Sequence, residues 1–372
     1  MNLMSAGIGS CSGMLTREGL TGPGRFEVLN GELLSWHEGQ GPDSKGILVP
    51  CFTNAHSHLE YYTLMGKTVL GDMGEFLTSI VALKSKQTPE EVLESCRLAA
   101  KKNFEAGVAR IWEHSDRPGS RAAMAEFGLT GQVQREVIDF FTTAFVSTGK
   151  AKAEEDFEPG FCWGPHAPYS IHRETLAWFS ESDWPLSIHC AESLAEVELL
   201  TTGHSSWDSW RLGPEKAALP TTNQTPVELL ESLGFLKLGR QLVHCCAVSD
   251  SDIEIMARSG VSAAHCPRSN KNLDCPIAPV RRMREAGVQV GIGLDSSASA
   301  GEIDYLAEMR EAMTSSRWLG EPLSVEDIWQ MACFEGADAM GVKAEDGPWM
   351  LIEGVDSLEE ALLASPTQIR RL

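Results

Sequence analysis

The chain has 372 residues, of which 42% are hydrophobic and 22% are charged, and its formal net charge is -21 at pH 7. This acidic balance argues against nucleic acid or anionic lipid as a partner, because both are negatively charged themselves. No apolar run approaches the roughly 18 residues that a membrane helix needs, and the length allows one large domain beside a smaller one.

The N-terminus and the cysteines favour a cytoplasmic protein. Residues 1–13 lack the basic start and the long apolar stretch of a secretory signal peptide. The ten cysteines are scattered through a chain too large to need a disulfide framework, and none shows Cys-x-x-Cys spacing. We therefore expect reduced thiols and a cytoplasmic location.

The N-terminal part of the chain contains short alternating segments rich in glycine. Residues 25–29 and 32–36 predict two antiparallel strands joined by a hairpin turn at Asn30-Gly31. The C-terminal residues are expected to return to the same unit. A small β-sandwich domain is thus predicted for residues 1–48 and 343–372.

A histidine pair ends the next strand. Residues 47–49 are apolar and β-prone, and they run on to His56-Ser57-His58. Alternate residues of a strand point to the same side, so His56 and His58 are two imidazoles aimed at one point. Such a pair can hold a divalent ion from one side, although an isolated pair of this kind is more often structural.

The rest of the chain alternates between strand-like and helix-like segments. A helix is predicted over 89–105, with Thr88 as its N-cap. Further helices are predicted over 172–182, 225–233, 250–258, 276–285, 302–317 and 324–341. Seven strands besides the histidine-bearing one are predicted near 108–113, 131–138, 161–164, 185–190, 241–245, 261–266 and 288–294. Eight strand–helix units predict a parallel (β/α)8 TIM-type barrel over residues 49–342.

Polar residues stand where several of these strands end, which is the active-site face of such a barrel. His189 and His244 end the fifth and sixth strands, and Asp295 ends the eighth. Glu192 follows His189 by three residues, where the strand becomes a loop. Taken singly, either histidine could be structural and Asp295 could be the N-cap of a following helix. Taken with the histidine pair of the first strand, they predict a metal site.

Six segments, in this order, carry a family resemblance. They are Pro50 to Glu60, Gly164 to Ser170, His189 to Ser193, Val243-His244, His265 to Asn270 and Gly293 to Ser296. The set resembles the amidohydrolase superfamily, in the branch that contains the cytosine, guanine and S-adenosylhomocysteine deaminases and the triazine chlorohydrolases. It extends over the whole predicted barrel, and it is far more specific for the superfamily than for a substrate.

The resemblance implies a single divalent metal ion. Its ligands would be His56, His58, His189 and Asp295. Three histidines and a carboxylate suit Zn, Fe or Mn, and zinc is the ion we expect. One ion is expected because the fourth strand ends in His166 and offers no lysine in the place of the carboxylated ligand that bridges two metals in other branches.

The chemistry that the resemblance implies is hydrolytic deamination. A divalent ion lowers the pKa of its bound water from about 15.7 towards 7, and the hydroxide would attack a ring carbon that bears an exocyclic amine. Asp295 would accept the proton of the water. Glu192 would protonate the ring nitrogen and then help the amine leave as ammonia, while His244 would stabilise the tetrahedral adduct.

Four residues are predicted to bind the substrate. The first is His166, since related purine nucleoside deaminases use the histidine of this segment for that contact; a loop histidine held by hydrogen bonds is the alternative. Glu60 and His114 are the next two, because the second strand ends Trp112-Glu113-His114-Ser115 where relatives often carry Gly-Asp. His114 would either enter the pocket or orient Glu60.

Arg268 is the fourth. It follows the seventh strand, where its planar guanidinium could grip a substrate carboxylate. The Cys-Pro-Arg-Ser segment around it resembles the aminodeoxyfutalosine deaminases, whose nucleoside carries an aryl carboxylate. Pairing of Arg268 with a structural acid is the competing interpretation.

The leading hypothesis is a metal-dependent hydrolytic deaminase of an adenine-type nucleoside, with 6-amino-6-deoxyfutalosine as a candidate substrate. One alternative is another amidohydrolase reaction, such as guanine or cytosine deamination or triazine dechlorination. A metal-binding barrel without catalysis is the other, and the complete ligand set beside Glu192 and His244 argues against it. The expected partner is a small molecule, and the sequence leaves open whether the chain forms a homodimer.

Overall fold

The computed structural model describes residues 6–39, 45–140, 142–208 and 222–372. Its strands in chain order are β1 Ala6–Cys11, β2 Gly13–Thr16, β3 Gly19–Leu20, β4 Gly24–Leu29, β5 Glu32–Glu38, β6 Gly46–Pro50, β7 Phe52–Ser57, β8 Val108–Ser115, β9 Thr130–Val137, β10 Phe161–Pro165, β11 Leu186–Cys190, β12 Arg240–His244, β13 Ser262–His265, β14 Val290–Ile292, β15 Trp349–Glu353 and β16 Ile369–Arg371.

The helices that follow and connect these strands are mostly short. In chain order the α-helices are α1 Met73–Lys84, α2 Pro89–Glu105, α3 Ser120–Glu126, α4 Phe145–Thr148, α5 Lys150–Glu155, α6 Arg173–Glu181, α7 Leu194–Thr202, α8 Pro226–Ser232, α9 Asp250–Ser259, α10 Pro267–Asn272, α11 Val280–Glu285, α12 Ser297–Ala300, α13 Tyr305–Trp318, α14 Val325–Gln330, α15 Gly336–Ala339 and α16 Leu358–Leu362. Leu59–Leu64, Ala344–Asp346 and Pro366–Gln368 form 3₁₀ turns, and Met331–Glu335 forms a π turn.

The eight strands β7 to β14 form the barrel. They make two parallel sheets of four strands each, one running β7-β8-β9-β10 and the other β11-β12-β13-β14. Backbone hydrogen bonds close both seams. The His189 N–H donates to the His166 carbonyl at 2.9 Å, and the Asp295 N–H donates to the His56 carbonyl at 2.9 Å. The predicted (β/α)8 barrel is confirmed.

Polar side chains inside the barrel fasten strands that are not neighbours. The Gln134 amide donates to the Ser187 carbonyl at 2.7 Å and accepts from the Ser187 N–H at 2.8 Å. The Gln241 amide donates to the Ala55 carbonyl at 2.9 Å. All of these residues are buried, and hydrogen bonds from buried amides favour one arrangement of the strands. The Gln134 amide is satisfied through both its atoms, whereas the Gln241 side-chain oxygen has no hydrogen-bond partner among the described residues.

Two small antiparallel-rich sheets pack together beside the barrel. One has the order β1-β4-β5 and the other β16-β15-β6-β2-β3. Their shared apolar core consists of Cys11, Phe26, Val28, Leu48, Trp349 and Leu351. The division of the chain at residues 48 and 343 stays a prediction.

The chain changes sheets at Cys51, which the sequence pattern did not reveal. Residues 47–49 were expected to begin the histidine-bearing strand, but Gly46–Pro50 pairs antiparallel with β15. Phe52–Ser57 pairs parallel with β8 instead. Cys51 lies between them, and its N–H donates to the Pro348 carbonyl at 2.9 Å. Both segments are fully buried, so a continuous apolar run conceals the break.

The helix predictions hold where capping signals are strong. α2 begins at Pro89, and Thr88 and Glu91 form a capping box around its first turn. The segment 324–341, predicted as one helix, is interrupted by the π turn. This turn lets the Glu335 carboxylate accept the Val290 N–H at 2.8 Å.

Along the described part of the chain, no helix is both long and apolar enough to cross a membrane.

We expect Gly131→Ala in β9 to destabilise the fold strongly. Gly131 has φ of +127°, and a Cβ there would lie 2.1 Å from the Ile111 carbonyl oxygen. The backbone would have to move, so the free energy of unfolding should fall by about 3 kcal/mol or more. Gly128 has φ of +68° with no atom near its would-be Cβ. Gly128→Ala should therefore cost only about 1–2 kcal/mol. Equal losses in guanidinium unfolding would contradict this account.

Candidate active site

A cavity of about 600 Å³ opens at the C-terminal ends of the barrel strands. Six of the predicted site residues line it: His58, His166, His189, Glu192, His244 and Asp295. Four others do not, namely His56, Glu60, His114 and Arg268. The structure therefore brings catalytic candidates from strands one, five, six and eight to one place.

Three imidazoles and one carboxylate lie close together here: His58, His189 and Asp295 line the cavity, and the His56 ring packs against both histidine rings. The Nε2 atoms of His58 and His189 are 3.3 Å apart. Asp295 Oδ1 lies 3.7 Å from Nε2 of His56 and 3.9 Å from Nε2 of His58. One nitrogen from each of the three histidines lies within 4.8 Å of the others.

The chemistry of this donor set fits a divalent cation. Both ring nitrogens of His56 and Nδ1 of His58 are buried without a hydrogen-bond partner, which is costly unless another group satisfies them. Burial lowers the pKa of His56 and of His58 well below the ordinary value, and the neighbouring histidines reinforce the effect. Both rings are therefore neutral at pH 7, the form in which imidazole binds metals.

His189 is oriented by the fourth strand. Its Nδ1–H donates to the His166 carbonyl at 2.8 Å, which leaves the lone pair of Nε2 directed at the site. The His166 ring is itself hydrogen-bonded to the Ser170 hydroxyl at 2.7 Å. Burial lowers the pKa of His189 to about 4. The structure thus fixes both the tautomer and the charge of this histidine.

Asp295 adopts a left-handed conformation with φ of +54°. Its Oδ1 accepts the Ser296 N–H at 2.6 Å, and its Oδ2 accepts the Ser269 hydroxyl at 2.5 Å. Burial alone would raise the pKa of Asp295, but His244, His58 and the Ser269 hydrogen bond outweigh it and the pKa is lowered. Ser296 caps helix α12, so Asp295 is not the N-cap. Its carboxylate is ionised and lies beside the histidines.

Glu192 and His244 lie side by side. Glu192 Oε1 is 3.5 Å from His244 Nε2, and His244 Nδ1–H donates to the Asn270 side-chain oxygen at 2.8 Å. Burial raises the pKa of Glu192 well above its ordinary value, and the charges of Asp295 and Glu196 raise it further. A carboxyl with a raised pKa can give and take a proton near neutral pH.

His114 lies behind the cluster. Its Nδ1 is 3.1 Å from Glu136 Oε1, and its ring packs edge-on against His56 with centroids 4.5 Å apart. It therefore touches the predicted ligands and does not line the cavity.

Glu60 and Arg268 occupy positions outside the cavity wall. Glu60 is fully buried and accepts the N–H groups of Asp116 and Arg117 at 3.1 and 3.2 Å. The Arg268 guanidinium donates to the Glu302 carbonyl at 2.9 Å and lies 3.6 Å from the Glu308 carboxylate. The predicted substrate contacts of both residues stay predictions.

Sequence reasoning missed Glu136, which lines the cavity at the end of β9. Its Oε1 is 3.6 Å from His189 Nδ1. Burial raises the pKa of Glu136 to about 7, against an opposing effect of His189. The strand-end rule that identified His189 would also have identified Glu136, since it lies two residues past the inward-facing Gln134. Ser269 and Asn270 were also not predicted as site residues, although their side chains hydrogen-bond to Asp295 and His244.

Comparisons with known proteins agree with this geometry. The amidohydrolase family model matches residues 47–347. A 5-methylthioadenosine/S-adenosylhomocysteine deaminase from Syntrophomonas wolfei is 31% identical over 328 residues, which cover 81% of this chain and 70% of that protein. The predicted superfamily resemblance is confirmed.

Two solved structures share the fold. An adenosine deaminase from Xanthomonas campestris with bound zinc has a TM-score of 0.78 at 20% identity and covers 97% of this chain and 90% of its own. The aminofutalosine deaminase of Helicobacter pylori, in complex with methylthio-coformycin, has a TM-score of 0.78 at 17% identity and covers 98% and 97%. At such identities the likeness establishes the fold alone.

A histidine next to the site gives a test of these electrostatics. His265 ends β13, is buried, and has a pKa lowered to about 3 by burial and by His244. In the unfolded chain its pKa is about 6.5, so the unfolded state binds the proton first and stability falls as pH drops below that value.

We expect His265→Gln to reduce this loss in the metal-free protein. Between pH 7 and pH 5 the variant should gain about 2 kcal/mol in unfolding free energy relative to wild type. Guanidinium unfolding of both proteins at the two pH values measures the difference. A gap that does not change with pH would mean that folding leaves the pKa of His265 at its unfolded value.

Proposed function

The chain belongs to the amidohydrolase family, and from this we propose that it is a metal-dependent hydrolytic deaminase of an adenine-type nucleoside. As a member it is a hydrolase of carbon–nitrogen bonds other than peptide bonds. The observation that carries the proposal is the convergence of three neutral imidazoles and Asp295 on a cavity that also contains Glu192 and His244.

The ion would be held by His56, His58, His189 and Asp295. When bound, it lowers the pKa of a water to about 7 and so supplies a nucleophile at neutral pH. Zinc suits this donor set, and the adenosine deaminase of the same fold from Xanthomonas campestris was solved with zinc.

The side chains around the cavity would then manage the protons. Asp295 is ionised and accepts a proton from the attacking water. Glu192, whose pKa is raised by burial, protonates a ring nitrogen of the substrate. The Glu192 carboxylate would then take up the proton that Asp295 accepted and pass it to the exocyclic amine, so that the carbon–nitrogen bond breaks and ammonia leaves. The hydroxyl proton of the adduct would return to Glu192 as the ring carbonyl forms, which restores both carboxyl groups. The balance is one water consumed and one ammonia released for each ring carbonyl formed.

His244 would act on the attacking water. Its Nδ1–H is committed to Asn270 at 2.8 Å, so Nε2 carries a lone pair beside Glu192. From there Nε2 can accept a hydrogen bond from the water and draw off part of its proton charge as the water attacks. Asn270 would fix this tautomer as a positioning residue.

The adenine-type base is supported by the 5-methylthioadenosine/S-adenosylhomocysteine deaminase relatives. His166 lines the cavity next to His189, which supports the proposal that it contacts the base. The prediction of 6-amino-6-deoxyfutalosine as substrate depended on Arg268. Because Arg268 pairs with Glu308 outside the cavity wall, it does not line the cavity as a partner for the carboxylate of that nucleoside.

We expect His56→Ala to empty the metal site and to abolish turnover. Elemental analysis should find one divalent ion per chain in the wild type and none in the variant. Zinc at a hundredfold excess over its dissociation constant should stabilise the wild type by about 2.7 kcal/mol and leave the variant unchanged. His204→Ala is the matched control, since that histidine is 68% exposed and does not line the cavity. Two ions per wild-type chain would contradict the proposed ligand set.

We expect Glu192→Gln to keep the metal but to lose about 10²–10⁴-fold in kcat, because an amide cannot transfer a proton. The assay is ammonia release from adenosine and from 5-methylthioadenosine. Glu198→Gln on the exposed face of α7 is the control and should retain full activity. If the Glu192 variant kept more than a tenth of the rate, Glu192 would not be the proton donor.

A further inference from the structure

One wall of the cavity is largely apolar. Helix α1 supplies most of it, through Met73, Phe76, Leu77, Ile80 and Val81. An apolar wall offers no hydrogen bonds to a charged group, and placing an unpaired charge against it is costly. A charged substrate group that reached this wall would need a partner from another residue.

One cation interrupts the apolar surface. Lys84, the last residue of α1, is the one Lys or Arg among the described residues that line the cavity. Its ammonium forms an ion pair with Asp116 and donates to the Tyr61 hydroxyl at 3.2 Å. The Lys84 and Asp116 side chains are only 18% and 19% exposed. Lys84 therefore lines the cavity as a cation that is already paired with Asp116.

The pair is held in place from behind. Glu60 accepts the Asp116 N–H at 3.1 Å and fixes the turn that carries it. The Arg117 guanidinium donates to the Gln87 carbonyl at 3.3 Å and to the Lys84 carbonyl. Burial raises the pKa of Asp116, but the charge of Lys84 and the hydrogen bond of Glu60 outweigh it and the pKa is lowered. Asp116 therefore stays ionised and neutralises Lys84.

Among the described residues, the rest of the lining offers an anion no second Lys or Arg. Glu136 also lines the cavity, where burial raises its pKa to about 7. Arg268 is absent from the lining because it is engaged by Glu302 and Glu308. An anionic group of the substrate would have to take Lys84 from Asp116 and leave that carboxylate without its partner. Removing one member of a largely buried ion pair is strongly destabilising.

We propose that the Lys84–Asp116 pair is the specificity determinant of this site, and that it restricts the substrates to nucleosides whose sugar substituent carries no net charge. A phosphate or carboxylate on the sugar is rejected. An uncharged substituent packs on α1, and its polar atoms find a donor in Lys84 and an acceptor in Asp116. This inference rests on the proposed deaminase function.

The experiment compares adenosine with adenosine 5′-monophosphate and with the carboxylated 6-amino-6-deoxyfutalosine. The wild type should prefer adenosine by at least tenfold in kcat/KM. Asp116→Asn keeps the shape of the pair and frees the charge of Lys84, so the ratio of anionic to neutral substrate should rise about tenfold. Lys84→Met should lower that ratio further. Lys86→Met, at an exposed lysine just past α1 that does not line the cavity, should leave it unaltered.

Calorimetric titration of the same ligands separates this inference from the proposed reaction. Tighter binding of adenosine than of its monophosphate, lost in Asp116→Asn, supports the selectivity even where no ammonia is released, and that result overturns only the deaminase proposal. Equal affinity of the wild type for both ligands overturns the selectivity. An unchanged ratio in both Asp116→Asn and Lys84→Met also overturns it, and the second variant decides if the first fails to fold.

Discussion

The pairing of the first barrel strand with the last is the constraint on which the site depends. The Asp295 N–H donates to the His56 carbonyl, and the His58 N–H donates to the Asp295 carbonyl at 3.4 Å. These two bonds close the barrel at the level of the predicted ligands. Residues separated by most of the chain are thereby held a few ångströms apart by backbone geometry, which side-chain motion cannot relax.

Asn54 strengthens the same seam from inside the barrel. Its side-chain oxygen accepts the Leu294 N–H at 2.9 Å, and its amide donates to Asn103 of α2 at 3.1 Å. The first strand, the last strand and the first long helix are thus joined through one buried amide. A buried amide with satisfied partners favours one arrangement over slipped alternatives, so the register that positions the ligands is also the register that the core prefers.

Strain at the strand ends directs the functional side chains. Ala191, His244, Cys245 and Asp295 all have positive φ, between 49° and 73°. A residue with a Cβ pays for this conformation, and such positions cluster at functional sites. Here the cost lies beside the cavity in strands five, six and eight. The surrounding hydrogen bonds, such as the one from His244 to Asn270, hold the strained backbone in place.

Electrostatics divides the cavity into two regions with different requirements. The floor contains imidazoles that burial keeps neutral and a carboxylate that stays ionised, so it is complementary to a cation. The wall at α1 contains an ion pair that is already balanced. A substrate of the proposed kind would meet both regions, with its reacting amine at the floor and an uncharged substituent at this pair.

The sequence by itself determined the barrel, the family and the residues at the strand ends. This was possible because strand–helix alternation has a fixed period and because the parallel barrel gathers every strand end on one face. His58, His189 and Asp295 could therefore be placed together without coordinates.

Only the tertiary structure decided which neighbouring polar residues face the cavity. Arg268 and Lys84 are both basic residues near that face, yet Arg268 is turned towards Glu308 and Lys84 lines the wall, because the direction of a long side chain is set by partners distant in sequence. The break at Cys51 was hidden for the same reason, since strand partners, and not local composition, decide where one buried strand ends and the next begins.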